Sequence, residues 1–312
     1  MKQIKIAVLS ISLLALFGLY GWAKSNPTPQ TKAHLTESPL VSTATVSMNE
    51  GMPLAADIAV TPIPTNSLNI PILMYHHVGP LLNTDAVTTD LTVSASDFEA
   101  QVKYFKDKGY HTVSLAQVYN HLINQVPLPS KPLVFTFDDG YKDVFDNAIP
   151  ILEKYNYSGT FAIATDLLGR PTYAVWDDVL NAQHLGMEIV SHTENHLDLT
   201  NSVYSEDDLT REIFGSKQKL EQHLQKPVEF FVYPYGKLND KVVQMVKAAG
   251  YKMAFTTAFG LQVNEQTLLT TPRLRVHGQN GLEKIKKVLE PARSTNVSVL
   301  PDTHNGSGPL NP

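Results

Sequence analysis

Two acidic residues in succession, Asp138 and Asp139, close the apolar run Leu133 to Phe137, and two histidines four apart, His192 and His196, follow the run Met187 to Val190. Neighbouring residues of an extended chain project to opposite sides, so one carboxylate can bind a metal while the other handles protons. Two imidazoles and a carboxylate make a three-ligand set that leaves a position for water, the pattern of catalytic rather than structural zinc. The histidine segment reads Ser191-His192-Thr193-Glu194-Asn195-His196, with its glutamate in the third of the five places, so the zincin pattern with glutamate as base does not fit. Each feature has a bland reading by itself. Asp138-Asp139-Gly140 is common turn chemistry, and a chain with 11 histidines produces such a pair by chance at an appreciable rate. Both at the ends of strand-like runs point to a hydrolytic metal site.

The elements that must position these residues are short apolar runs alternating with amphipathic stretches. The runs are Ile72 to His76, Tyr110 to Val113, Leu133 to Phe137, Thr160 to Ala164, Met187 to Val190, Val228 to Tyr233, Met253 to Thr257 and Leu274 to Val276. Helical periodicity fits Asp97 to Lys108, Asp143 to Tyr155, Ser205 to Leu224 and Asp240 to Ala249. This alternation predicts an α/β fold whose seven or eight mostly parallel strands close into a (β/α) barrel. In such a barrel, chemistry sits at the carboxyl ends of the strands. Tyr75-His76-His77, Asp138-Asp139-Gly140, Ser191-His192, Tyr233-Pro234-Tyr235-Gly236 and His277-Gly278 all fall there.

Composition bounds the rest. The chain has 312 residues, 43% hydrophobic, enough for one large domain. A formal net charge of -5 gives no electrostatic basis for a nucleic-acid partner. Residues 1–23, a basic lead followed by an apolar run, read as a signal peptide or an N-terminal anchor that associates the protein with a membrane; either implies export to the periplasm, cell envelope or exterior. Without cysteine there is no disulfide, no lipoprotein anchor and no thiolate ligand. Residues 24–69 are expected to be a disordered linker rich in Pro, Ser and Thr, residues 70–290 the catalytic domain and residues 291–312 a disordered tail. A monomer is expected.

The segments Thr136-Phe137-Asp138-Asp139-Gly140, His192-Thr193-x-x-His196 and Tyr233-Pro234-Tyr235-Gly236 resemble the first three motifs of the polysaccharide deacetylase family, the NodB-type carbohydrate esterases. The opening Pro71-Ile72-Leu73-Met74-Tyr75-His76-His77 is similar to the branch acting on poly-N-acetylglucosamine and related envelope glycans. The resemblance spans about residues 70 to 280. It implies a distorted (β/α) barrel that removes acetyl groups from N-acetylglucosamine units. It also implies that Asp139, His192 and His196 hold a divalent metal, usually zinc, that Asp138 is the general base, that the Tyr235 loop supplies an oxyanion amide, and that His277 is the acid. Zinc lowers the pKa of a bound water to about 7, within reach of a carboxylate base.

Two departures stand out. The arginine expected two places before the proline of the third motif is Val232 here, and the acidic residue that normally pairs with it is not evident after Met253 to Thr257. Arg273 is the candidate replacement; its bland alternative is a surface pair at a strand start. His76 could contact ligand or sugar, but His77 is its equal from sequence, and strand alternation lets only one face the site. Tyr141 and Tyr235 flank the motifs, and Trp176 is read as packing at a helix start. Peptidoglycan or chitin oligomers are alternative substrates. An inactive glycan-binding barrel is the alternative of a different class, motivated by Val232.

Overall fold

The computed structural model describes residues 67–81, 83–278 and 281–290. The segments 1–23 and 291–312 lie outside the described residues, as does the expected linker up to residue 66. Seven parallel strands form the framework: β1 (Ile72–Tyr75), β2 (Pro132–Phe137), β3 (Thr160–Ile163), β4 (Glu188–Ser191), β5 (Phe230–Val232), β6 (Met253–Phe259) and β7 (Thr271–Arg275). Each pairs with the next, and β7 pairs back onto β1, so the sheet closes in chain order. The run at Tyr110 to Val113 shrinks to His111–Thr112, which pairs with the start of β2 outside the ring. Seven strands, not eight, make the barrel.

Residues on the strands alternate between two apolar clusters, as a period of two requires. Ile72, Val134, Ala162, Val190, Val232 and Phe255 belong to an inner cluster, closed at the amino-terminal end by Leu115, Val118 and Leu122 of the helix Leu115–Asn124. Leu73, Tyr75, Phe135, Phe137, Phe161 and Phe231 face outward, where Phe98, Val102 and Phe105 of the helix Ala95–Asp107 cover part of them. That helix starts two residues before the expected Asp97, because the Ser94 side chain accepts from the Asp97 amide.

Two other differences have local causes. Ser67–Asn69, assigned to the linker from its polar composition, pairs antiparallel with Gln262–Asn264 and so belongs to the domain. The helical stretches from Asp143 and from Ser205 each contain a π-turn, Val144–Ala148 and Arg211–Gly215, which the apolar periodicity does not show. Trp176 begins the helix Trp176–His184 and stacks on His223 at 3.7 Å, a packing role as read.

Phe98 is fully buried, and its ring meets Tyr75, Phe135 and Phe137 edge-on at 5.2 to 5.9 Å. Phe98→Ala is expected to cost about 3–5 kcal/mol in urea unfolding, the range for a buried phenylalanine. A cost below about 1 kcal/mol would show that this helix does not support β1 and β2 as described.

Candidate active site

The strand ends deliver the predicted residues to one cleft of about 500 Å³, lined by His76, Asp138, Asp139, His192, His196 and Tyr235 among others. Asp138 and Asp139 leave β2 in succession, with the Asp138 amide tied to the Tyr75 carbonyl at 2.9 Å. Asp139 then turns to φ +75°. Non-glycine residues avoid this left-handed region at a cost of order 1 kcal/mol. Thr193, His196 and Tyr235 share it, with φ of +70°, +57° and +59°. Four such residues around one cleft mark a site whose loops are held by their surroundings.

Among the described residues, Asp139, His192 and His196 form the one group able to hold a metal ion, their ligand atoms lying within 4.8 Å of one another. Asp139 Oδ1 is 3.1 Å from His192 Nε2 and 3.3 Å from His196 Nε2. His192 Nδ1 lies 2.8 Å from the Val232 carbonyl and donates to it, which turns the lone-pair side of Nε2 toward Asp139. Two acceptors then face each other, so a proton or a cation belongs between them, and the residues fit a divalent ion. Burial and the neighbouring His192 bring the His196 pKa down to about 4, so that imidazole is neutral and ligand-ready. Burial would raise the Asp139 carboxyl, but with a proton in that position the hydrogen bond and charge of the protonated His192 hold it well below the usual range.

Asp138 is committed elsewhere. Its Oδ1 and Oδ2 accept from Arg273 Nη1 and Nη2 at 2.8 and 2.6 Å, a bidentate pair with both side chains buried. Arg273 also donates to Thr136 Oγ1 and to the Thr256 carbonyl, 2.9 and 3.0 Å. Burial would raise the Asp138 pKa; the Arg273 charge and hydrogen bonds overcome it and hold the carboxyl low. Arg273 is therefore no surface pair. Val232, at the place where the resemblance implied an arginine, lies in the inner cluster, and a guanidinium enters the barrel from β7 instead.

Of the two histidines that the sequence left equal, His76 lines the cleft and His77 turns away, bonding Asp143 at 2.8 Å and stacking on Tyr141 at 3.8 Å. His76 Nδ1 is buried and unpartnered among the described residues. Burial lowers its pKa against the pull of Asp139 and Asp138. His277 does not line the cleft. Its Nδ1 bonds Asp90 at 2.7 Å, and it borders a neighbouring cavity. Tyr235 sits in a tight turn where the Gly236 and Lys237 amides bond Tyr233 and Pro234, leaving its own amide without an acceptor among the described residues.

One supporting residue was missed. Glu212, buried on the π-turn, accepts from the Glu194 and Asn195 amides at 3.0 and 2.8 Å and from the Asn195 side chain at 2.9 Å. It fixes the His192 to His196 loop. The signal was an acidic residue directly before Ile213, next to the apolar stripe Leu209, Ile213 and Leu220.

A family model described as polysaccharide deacetylase matches residues 125–254. The Streptococcus pyogenes deacetylase PplD, solved in complex with acetate, is 30% identical with a TM-score of 0.67, and the match covers 72% of this chain and 100% of that one. The chain belongs to the polysaccharide deacetylase family. A Bacillus cereus polysaccharide deacetylase is also 30% identical, with a TM-score of 0.63 over 72% of this chain and 70% of that one. The poly-beta-1,6-N-acetyl-D-glucosamine N-deacetylase of Escherichia coli K12 is 27% identical over 235 residues, 62% of this deacetylase but only 35% of the relative's length. The enzyme of that name from Staphylococcus aureus MRSA252 is 26% identical over 177 residues, 53% of this chain and 61% of its own.

Because the folded Asp138 pKa is depressed, the pair with Arg273 contributes stability above the unfolded value near 3.9 and loses it as pH falls through the folded value. Arg273→Met leaves a buried carboxylate unpaired and is expected to cost about 3–5 kcal/mol in urea unfolding at neutral pH. Asp138→Leu in the same chain should recover at least half of that loss. A single-variant cost below about 1 kcal/mol would contradict the buried pair.

Proposed function

We propose that this deacetylase hydrolyses N-acetyl groups on N-acetylglucosamine units of a polysaccharide outside the cytoplasm, with a divalent cation, zinc by its donor set, held by Asp139, His192 and His196. The observation that carries the reading is the division of the two neighbouring carboxylates. Asp139 faces both imidazoles and Asp138 faces Arg273. A bound cation would supply Lewis acidity to the acetamide carbonyl and lower the pKa of water.

The chain's own residues account for the other demands of amide hydrolysis. Asp138, kept ionised by Arg273, takes a proton from the attacking water, and the same ion pair fixes the direction in which the carboxylate points. The Tyr235 amide offers a hydrogen bond to the oxygen on which negative charge develops. Protonation of the leaving nitrogen falls to His76, the histidine lining the cleft outside the ligand set. Burial keeps His76 neutral at rest, so the proton that Asp138 takes from the water must pass to His76 before it goes on to the leaving nitrogen, and a lowered pKa makes that release easy. The resemblance gave this role to His277, which borders the next cavity and is paired with Asp90.

Poly-β-1,6-N-acetylglucosamine is the favoured substrate, in line with the Escherichia coli and Staphylococcus aureus relatives. Acetate held by the Streptococcus pyogenes relative agrees with deacetylation. Export rests on the basic and apolar segment 1–23.

Acetate release from a β-1,6-linked N-acetylglucosamine oligomer, a chitin oligomer and peptidoglycan tests the reaction and ranks the substrates; no acetate from any of them would refute it. On the substrate that is turned over, His76→Ala should lower kcat by about 10²- to 10⁴-fold, the worth of one general acid. His277→Ala should lower it by less than about ten-fold, as expected of a residue outside the proton path. The reverse order would return the acid role to His277.

A further inference from the structure

Beside the catalytic cleft lies a second cavity of about 310 Å³, which shares Thr257 and Arg275 with it. Its apolar side is Phe259, 71% exposed, with Leu274, Ile285 and Val288; its polar side is Arg275, His277, Lys284 and Arg273, whose charge Asp138 already meets. No carboxylate lines it, whereas two line the cleft. Asp90 pairs with the polar side, and both its oxygens are taken, by Arg275 Nη2 and His277 Nδ1, each at 2.7 Å. Lys284 and Arg275 against one carboxylate leave the cavity positive. Arg275 Nε is a buried donor without a partner among the described residues.

This chemistry separates the two forms of sugar that a deacetylase meets along one chain. An N-acetylated unit is neutral, with a methyl group that gains from apolar contact and a carbonyl that accepts from cationic donors. A deacetylated unit carries an ammonium, which a positive cavity without carboxylates repels. Resting on the reaction proposed above, we propose that this cavity is a subsite for the sugar next to the reacting one, and that it takes N-acetylglucosamine and rejects glucosamine. The enzyme then acts poorly beside its own products and spaces the amines along the polymer. Lys284 stands on the exposed side of the helix Gly281–Leu289, away from the cleft, and is the residue whose charge can be reversed without disturbing packing.

The test compares acetate release from a fully acetylated tetramer with release from tetramers carrying a single glucosamine at each position in turn. With glucosamine at one flanking position, kcat/KM is expected to fall at least ten-fold. Lys284→Glu should shrink that ratio at least three-fold, and added salt should shrink it in the wild type, since exposed charges are screened. A rate independent of glucosamine position, or the same ratio in Lys284→Glu, overturns the subsite while leaving the reaction intact. If no tetramer releases acetate, the reaction fails instead, and calorimetric titration with the same tetramers decides the subsite: weaker binding of the glucosamine form supports it and equal affinity overturns it.

Discussion

A carboxylate buried at the floor of a cleft is expensive unless a charge meets it, and the Asp138–Arg273 pair is the constraint around which this barrel is arranged. The guanidinium needs donors' partners on three sides, and it finds them in Asp138, Thr136 Oγ1 and the Thr256 carbonyl, on β2 and β6. It thereby ties together three strands of a ring otherwise filled with aliphatic and aromatic groups. Orientation of Asp138 follows from that network, while the left-handed turn at Asp139 directs the second carboxylate to the two imidazoles. On the proposed reading, this one ion pair inside the barrel separates the carboxylate that moves a proton from the one that binds a cation.

The residues proposed to hold the cation are positioned by a backbone carbonyl and by side chains that gather loop amides. Val232 stands where the resemblance implied an arginine, yet its carbonyl fixes the His192 ring. Glu212 gathers the amides of the loop between the two histidines, and His196 reaches its place only through a left-handed backbone, with its amide on Thr193 Oγ1 at 2.9 Å. Strain of this kind persists where surrounding contacts over-determine the conformation, as the buried Glu212 contacts do here.

Periodicity made the barrel legible, since Phe135, Phe137 and Thr136 alternate visibly and each motif follows a strand. Asp138, Asp139, His192 and His196 stood out in the sequence only in combination, at the ends of strand-like runs, and their division into base and ligands came from the family resemblance. Arg273 could be suspected only as a substitute, because its partner is 135 residues away in sequence and nothing local links them. The placement of His76 and His277 was not legible. Which of two adjacent histidines faces inward depends on where β1 ends, and the departure of His277 depends on Asp90, from a helix the periodicity did not reveal. The strand at Ser67–Asn69 was hidden for a similar reason: its stability comes from a partner at Gln262–Asn264, not from its own composition.

The division of labour between the two carboxylates is tested most directly by the zinc content of Asp138→Asn and Asp139→Asn after dialysis against a weak chelator, read by mass spectrometry on folded protein. One equivalent per chain in Asp138→Asn and none in Asp139→Asn is the predicted result. Loss of zinc from Asp138→Asn with retention in Asp139→Asn would contradict the account.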